Sequence, residues 1–221
     1  MMRFCLALVL LAAVGAAHAQ QPPATGSMLH GTPAVVAPLP PEILKSDAYA
    51  ALLAELRQGG FVIYLRHAVT ATTPEPAVGD LVDCSWQRNL NDVGRHQAAT
   101  VGNRLKEQGI AVVALEASPF CRTRQTAELA FGREPKINLE LLYHVTQTPE
   151  QVAAANARLK ARLGERPPAG GNLVLVGHSP TMKEASAVEL PEGQAAIVKP
   201  NGDGTFRVVG RLTEAGITPL P

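Results

Sequence analysis

Three short apolar runs, FVIYL at 61–65, IAVVALEAS at 110–118 and NLVLVG at 172–177, punctuate a chain of 221 residues, and longer stretches with helical spacing of Leu and Ala separate them. The runs have the length of strands and the spacers that of helices. Strands and helices in this alternation predict an α/β fold, a three-layer sandwich with a central, mostly parallel sheet flanked by helices. In such folds ligands collect at the carboxyl ends of the strands. Arg66-His67 follows the first run, Ser118 to Arg122 the second and His178 the third, so two histidines and two arginines are expected to converge.

The punctuation between the runs agrees with this reading. Ser46 is placed to cap a helix over 47–58 that Gly59-Gly60 stops, and Asn91 opens a second over 92–108 that Gly109 ends. Pro119 marks a turn into a helix through 122–131, and Pro149 starts another that runs to Gly164. KINLELL at 136–142 reads as a further strand, and QAAIVKPNGDGTFRVVGRL at 194–212 as a hairpin around its Asn-Gly-Asp-Gly turn.

The amino terminus has a different character. Met1-Met2-Arg3 precedes an apolar stretch from Phe4 to Ala17, and Ala17-His18-Ala19 has the small-x-small pattern of a signal-peptide cleavage site. About 14 apolar residues fall short of the roughly 20 that span a bilayer, so export to the periplasm or medium is expected rather than stable membrane insertion. Residues 20–44, dense in Pro, Gly, Ala and Gln, read as a disordered tether, and 45–221 as a single domain. The chain has 20 Lys and Arg against 19 Asp and Glu, and loss of Arg3 makes them equal. No global field therefore advertises nucleic acid or a membrane surface, and any positive potential is local.

Of three cysteines, Cys5 leaves with the signal, and the pair left in an oxidising compartment, Cys84 and Cys121, is expected to bridge. Two free buried thiols are the alternative. No metal site is expected, because two such distant cysteines have no His at matching spacing.

The strand-end residues suit one chemistry. Arginine presents a planar fork to phosphate oxygens, and Arg122 sits near a helix start, where free N–H groups also favour an anion. A histidine attacks phosphorus through a neutral ring nitrogen, and nearby positive charge keeps the ring unprotonated. His67 thus reads as nucleophile, Arg66 and Arg122 as phosphate ligands, and His178 as a donor to the phosphoryl group in transfer. His96 and His144 read as ordinary helix and loop residues, and Arg124, two positions from Arg122, as facing solvent.

LRHA at 65–68, ASPFCRTRQTA at 117–127 and LVLVGHSP at 173–180, in that order, resemble the three signature segments of the histidine phosphatase superfamily, branch 1, with its phosphoglycerate mutase-like fold. NLNDVGRHQA at 89–98 fits the second helix of that fold. The resemblance implies a phosphohistidine on His67, phosphate binding by Arg66, Arg122 and His178, release by water, a small phosphorylated substrate and no cofactor. It departs at Ala68, where the usual motif has Gly, and in the general acid. Glu192 in LPEGQAAIV resembles the EG segment of exported bacterial relatives and is preferred to Glu140 in INLELLYHV; a third possibility is that no carboxylic acid is used. A Cys84–Cys121 bridge would pin GDLVDCSWQRN (79–89) over the pocket, making Asp83, Trp86 and Arg88, with Asp80, a possible substrate wall. The expected function is an exported phosphomonoesterase. The alternative is a phosphate- or sugar-phosphate-binding module with the same pocket and little turnover.

Overall fold

A computed structural model describes residues 36–75, 79–144 and 147–220. The expected signal peptide and the first part of the Pro-rich tether lie outside the described residues. Helices α1 (Pro41–Leu44) and α2 (Asp47–Gln58) lead into β1 (Val62–Arg66), followed by α3 (Asp92–Glu107), β2 (Val112–Ala117), α4 (Cys121–Phe131) and β3 (Lys136–Ile137). Next come α5 (Pro149–Gly164), β4 (Asn172–Gly177), α6 (Ser179–Ser186), β5 (Ala195–Pro200), β6 (Phe206–Thr213) and β7 (Gly216–Pro219). The seven strands form one sheet in the order β3-β2-β4-β1-β5-β6-β7.

The strands β3, β2, β4 and β1 run parallel, whereas β5 pairs antiparallel with β1, β6 with β5 and β7 with β6. The sheet is therefore mixed. A purely helix-linked α/β unit keeps its strands parallel, but the 201–205 turn joins β5 to β6 as a hairpin, and hairpins force reversal. The β7 strand and helix α6 were not anticipated, KINLELL gives only two strand residues before a 3-10 turn at Leu139–Leu141, and Pro41–Leu44 is helical inside the stretch read as tether.

Alternation along β1 and β4 builds the layers. Ile63, Leu65, Val174 and Val176 join Leu52, Leu53 and Leu56 of α2, Val101 and Leu105 of α3 and Ala127 of α4. Val62, Tyr64, Leu173 and Leu175 join Leu159 and Leu163 of α5 and Met182 and Ala185 of α6 on the other face. Because β1 and β4 are covered on both sides, their sequences lack a polar face, as expected for central parallel strands. Two caps fall where the residues predicted, Ser46 accepting from the N–H of Tyr49 and Asn91 from that of Gly94, and Thr148 with Gln151 adds a capping box ahead of Pro149. Gly94 also lets α3 approach the loop after β1, since a Cβ there would lie 1.9 Å from the Val69 carbonyl oxygen.

Candidate active site

The carboxyl ends of the neighbours β1 and β4 bring His67 and His178 together, their ring centroids 5.5 Å apart and edge to face. They line a cavity of about 370 Å³ with Arg66, Arg88, Arg122, Tyr143, Ser179, Pro180, Lys183 and Glu189. Arg66-His67, Arg122 and His178, far apart in sequence, meet here because each pair or residue ends, follows or opens an element at the same edge of the sheet.

His67 is 3 % exposed, and its Nδ1 lies 2.9 Å from the Ala68 carbonyl oxygen. A carbonyl only accepts, so Nδ1 carries the hydrogen and the neutral ring keeps its lone pair on Nε2. Burial lowers the His67 pKa to about 3; the Ala68 carbonyl opposes this, and the charges of Arg122, Arg66 and Arg88 add to it. The Ala68 methyl does not crowd the nucleophile. It packs with Leu90 and Ala98, while the Ala68 N–H donates to Thr126 Oγ1 at 3.0 Å. Ala68 is not among the residues with positive φ, so the backbone makes no demand for glycine at that position.

His178 is 1 % exposed and is fixed through both its backbone and its ring. The Tyr64 hydroxyl donates to the His178 carbonyl at 3.0 Å and accepts from its N–H at 3.1 Å, and ring Nε2 is 3.1 Å from Ser118 Oγ. Gly177 is required for this arrangement, because a Cβ there would lie 2.2 Å from the Tyr64 hydroxyl. Burial, followed by coupling to the titration of the neighbouring His67 and then by the charges of Arg122 and Arg66, holds the His178 pKa well below the usual imidazole range. Phe120 and Tyr143 flank the ring at centroid distances of 5.3 and 5.1 Å.

The arginines are held by their outer nitrogens. Arg122, 1 % exposed, donates through Nη1 to Glu75 Oε1 at 2.7 Å, and its guanidinium carbon lies 4.4 Å over the Phe120 ring. Arg66 donates through Nη1 to the Leu190 carbonyl at 2.9 Å, with Nη2 3.6 Å from Glu192 Oε1. The Nε–H groups of Arg66, Arg88 and Arg122 are all buried without a hydrogen-bond partner among the described residues. Buried donors in a native fold ordinarily find acceptors, so these suit an incoming anion. Helices α4 and α6 both start at this site with no side-chain cap, and Ser179 and Pro180 of α6 line the cavity. Their amino ends add partial positive charge. Among the described residues no cluster of His, Cys, Asp and Glu could hold a metal ion.

The two glutamates separate clearly. Glu140 forms an ion pair with Arg158 at 3.0 Å and does not line the cavity. Glu192 accepts from Thr70 Oγ1 at 3.1 Å and lies 3.9 Å from His67 Nδ1 and 4.0 Å from Arg88 Nη2, beside the cavity rather than in its lining. Cys84 and Cys121 form a disulfide. Of the expected substrate wall only Arg88 reaches the cavity. Asp83 is exposed and spends its carboxylate on the N–H and hydroxyl of Ser85, and Trp86 packs edge-on against Phe120, a layer behind the arginine. Arg124 does not face open solvent: its Nη2 lies 3.1 Å from Cys121 Sγ, three residues back on the same helix face. The sequence offered no signal for Glu75, whose loop has no period; Tyr64 was findable as the residue two before Arg66, on the same face of β1.

The family model of the histidine phosphatase superfamily (branch 1) matches residues 62–145, taking in LRHA and ASPFCRTRQTA, and the third segment, LVLVGHSP, delivers His178 to the same cavity. Over those residues the chain is similar to the histidine phosphatase superfamily, branch 1. The chain is similar in fold to the protein histidine phosphatase SixA solved with tungstate, at 19% identity and a TM-score of 0.53 over 70% of this chain and 97% of that one. It is also similar to the product of open reading frame Rv3214 from Mycobacterium tuberculosis, at 18% identity and a TM-score of 0.51 over 67% and 95% of the two chains. Comparison with curated protein sequences gives no match.

Proposed function

We propose that the protein is a phosphomonoesterase that works through a phosphohistidine on His67. The observation that carries the reading is the neutral His67 ring: its Nδ1 hydrogen is committed to the Ala68 carbonyl, which leaves the lone pair on Nε2, and the ring shares its cavity with Arg66, Arg122 and His178. Nε2 attacks phosphorus; the N–P bond forms as the ester P–O bond breaks, and the departing alcohol takes up a proton. Water then attacks the phosphohistidine, the P–N bond breaks, and inorganic phosphate leaves. Arg66 and Arg122 hold the non-bridging oxygens, and His178, braced by Ser118, stabilises the charge that develops on them.

In an in-line displacement the leaving oxygen lies across phosphorus from Nε2. Glu192 approaches the Nδ1 edge instead, so we assign it to holding Arg66 and the loop after His67. Without a carboxylic acid at the leaving group, turnover depends on that group's basicity, and weakly basic leaving groups are favoured. The same placement is what favours the rival reading, a phosphate-binding module with little turnover. The working location we propose is outside the cytoplasm, in periplasm or medium. The Cys84–Cys121 bond and the amino-terminal sequence support this, and among the described residues no helix is long and apolar enough to cross a membrane.

Hydrolysis of an activated aryl phosphate by the mature, disulfide-bonded protein tests the proposal. His67→Ala is expected to lower kcat by at least about 10³-fold, and rapid quenching to trap phosphate on His67 in the wild type. Phosphate binding with neither hydrolysis nor labelling would establish the module instead.

A further inference from the structure

Arg88 stands out because the cavity holds one arginine more than the reading above uses. It lines the same space as Arg66, His67, Arg122 and His178. Its Nη2 and the Nη2 of Arg66 both approach Glu192 Oε1, at 4.0 and 3.6 Å, so the two guanidinium groups are neighbours around one carboxylate oxygen. Its backbone N–H donates to Glu75 Oε1 at 3.1 Å, the oxygen that also accepts from Arg122 Nη1. Glu75 thereby ties the backbone of Arg88 to the guanidinium of Arg122.

We propose that Arg88 is a third ligand of the phosphoryl group rather than a reader of the leaving group. The inference rests on the phosphate reading of the cavity and adds to it. Three guanidinium groups crowded into one partly buried space repel one another, and each retains a buried Nε–H without a partner among the described residues. A phosphoryl group has three non-bridging oxygens and at neutral pH carries nearly two negative charges, so it can accept from all three forks at once. The charge of Arg88 is also one of those that keep His67 neutral, and it disfavours added positive charge at Arg66 and Arg122 in the same way.

The anchoring of Arg88 fits a role toward the invariant part of the substrate. Gln87, its neighbour, accepts from the Cys121 N–H through Oε1 at 2.8 Å. Asn89, on the other side, donates to the Cys84 carbonyl at 2.7 Å, and the Cys84–Cys121 disulfide joins that loop to the start of α4. The arginine is therefore braced on both sides against the helix that carries Arg122. A side chain that must meet one tetrahedral group in one place gains from such bracing, whereas one that accommodates varied leaving groups does not.

Two measurements on the disulfide-bonded protein decide the matter. Titration calorimetry with inorganic phosphate is expected to show at least ten-fold weaker binding in Arg88→Ala, with Arg88→Lys recovering only part because it keeps the charge and loses the fork. Across aryl, sugar and simple alkyl phosphates, the Arg88→Ala loss in kcat/KM is expected to be the same factor. An unchanged phosphate affinity, or a loss that varies with the leaving group, would overturn the inference while leaving the phosphatase reading intact. Wild-type protein that binds no phosphate would instead overturn both. Arg88→Lys, which retains volume and charge, guards against a misfolded alanine variant, and thermal unfolding of each variant checks it.

Discussion

Acidification should unfold this protein partly through His67. The ring is 3 % exposed, and burial, with the neighbouring arginines, lowers its pKa to about 3, against about 6.5 in an unfolded chain. Between those values the unfolded chain binds a proton that the folded one refuses, so falling pH favours unfolding across this window and rising pH restores stability. At 1.36 kcal/mol per unit the full shift is worth about 5 kcal/mol once pH has fallen below 3, and linkage gives about 2 kcal/mol of that at pH 5. His178 is shifted in the same direction and adds to the effect. Carboxylates titrate in this range too, so the informative quantity is a difference between proteins. Urea unfolding at pH 8 and pH 5 is expected to show wild type losing about 2 kcal/mol more than His67→Asn on acidification. Equal losses in both proteins would refute the claim that the fold holds a neutral imidazole at this position. Nitrogen spectra of the His67 ring give a second check: no titration should be seen above about pH 4.

Three further outcomes follow from the same geometry. Replacing both Cys84 and Cys121 by Ala opens a loop with a sequence separation of 37 residues, which should cost about 4 kcal/mol in urea unfolding and weaken phosphate binding as Arg88 loses its brace. Glu192→Gln should raise KM for an aryl phosphate several-fold with a smaller change in kcat, whereas Glu140→Gln should leave both unchanged; a kcat loss that grows with leaving-group basicity in Glu192→Gln would restore it as the proton donor. Tyr64→Phe strands the buried N–H of His178, whose carbonyl keeps the Met182 N–H, so stability should drop by about 1–3 kcal/mol and kcat should fall with the lost alignment, both measurable on one preparation.

Helix α2 at Asp47–Gln58, α5 at Pro149–Gly164 and β4 at Asn172–Gly177 were legible in the sequence to the residue, because caps, prolines and apolar runs are local signals. The antiparallel half of the sheet was less so: a hairpin fixes the pairing of β5 with β6, but β5 joins β1 through a contact between distant segments that no local pattern encodes. The site divides along the same line. Arg66, His67, Arg122 and His178 were readable because each sits at an element boundary, and the sheet order carries those boundaries to one edge.

What the sequence determined by itself was thus most of the elements, α1, α6 and β7 excepted, and the chemistry parked at their ends, since backbone hydrogen bonding and side-chain period act over a few residues. Only the tertiary structure decided which way the loop side chains face. Glu75 meets Arg122 across 47 positions, and Glu192 meets Thr70 across 122. Arg88 enters the cavity while Asp83 and Trp86 do not, because the disulfide and the bonds of Gln87 and Asn89 orient that loop. Such directions come from contacts that exist only after the chain has closed on itself, so no local period records them.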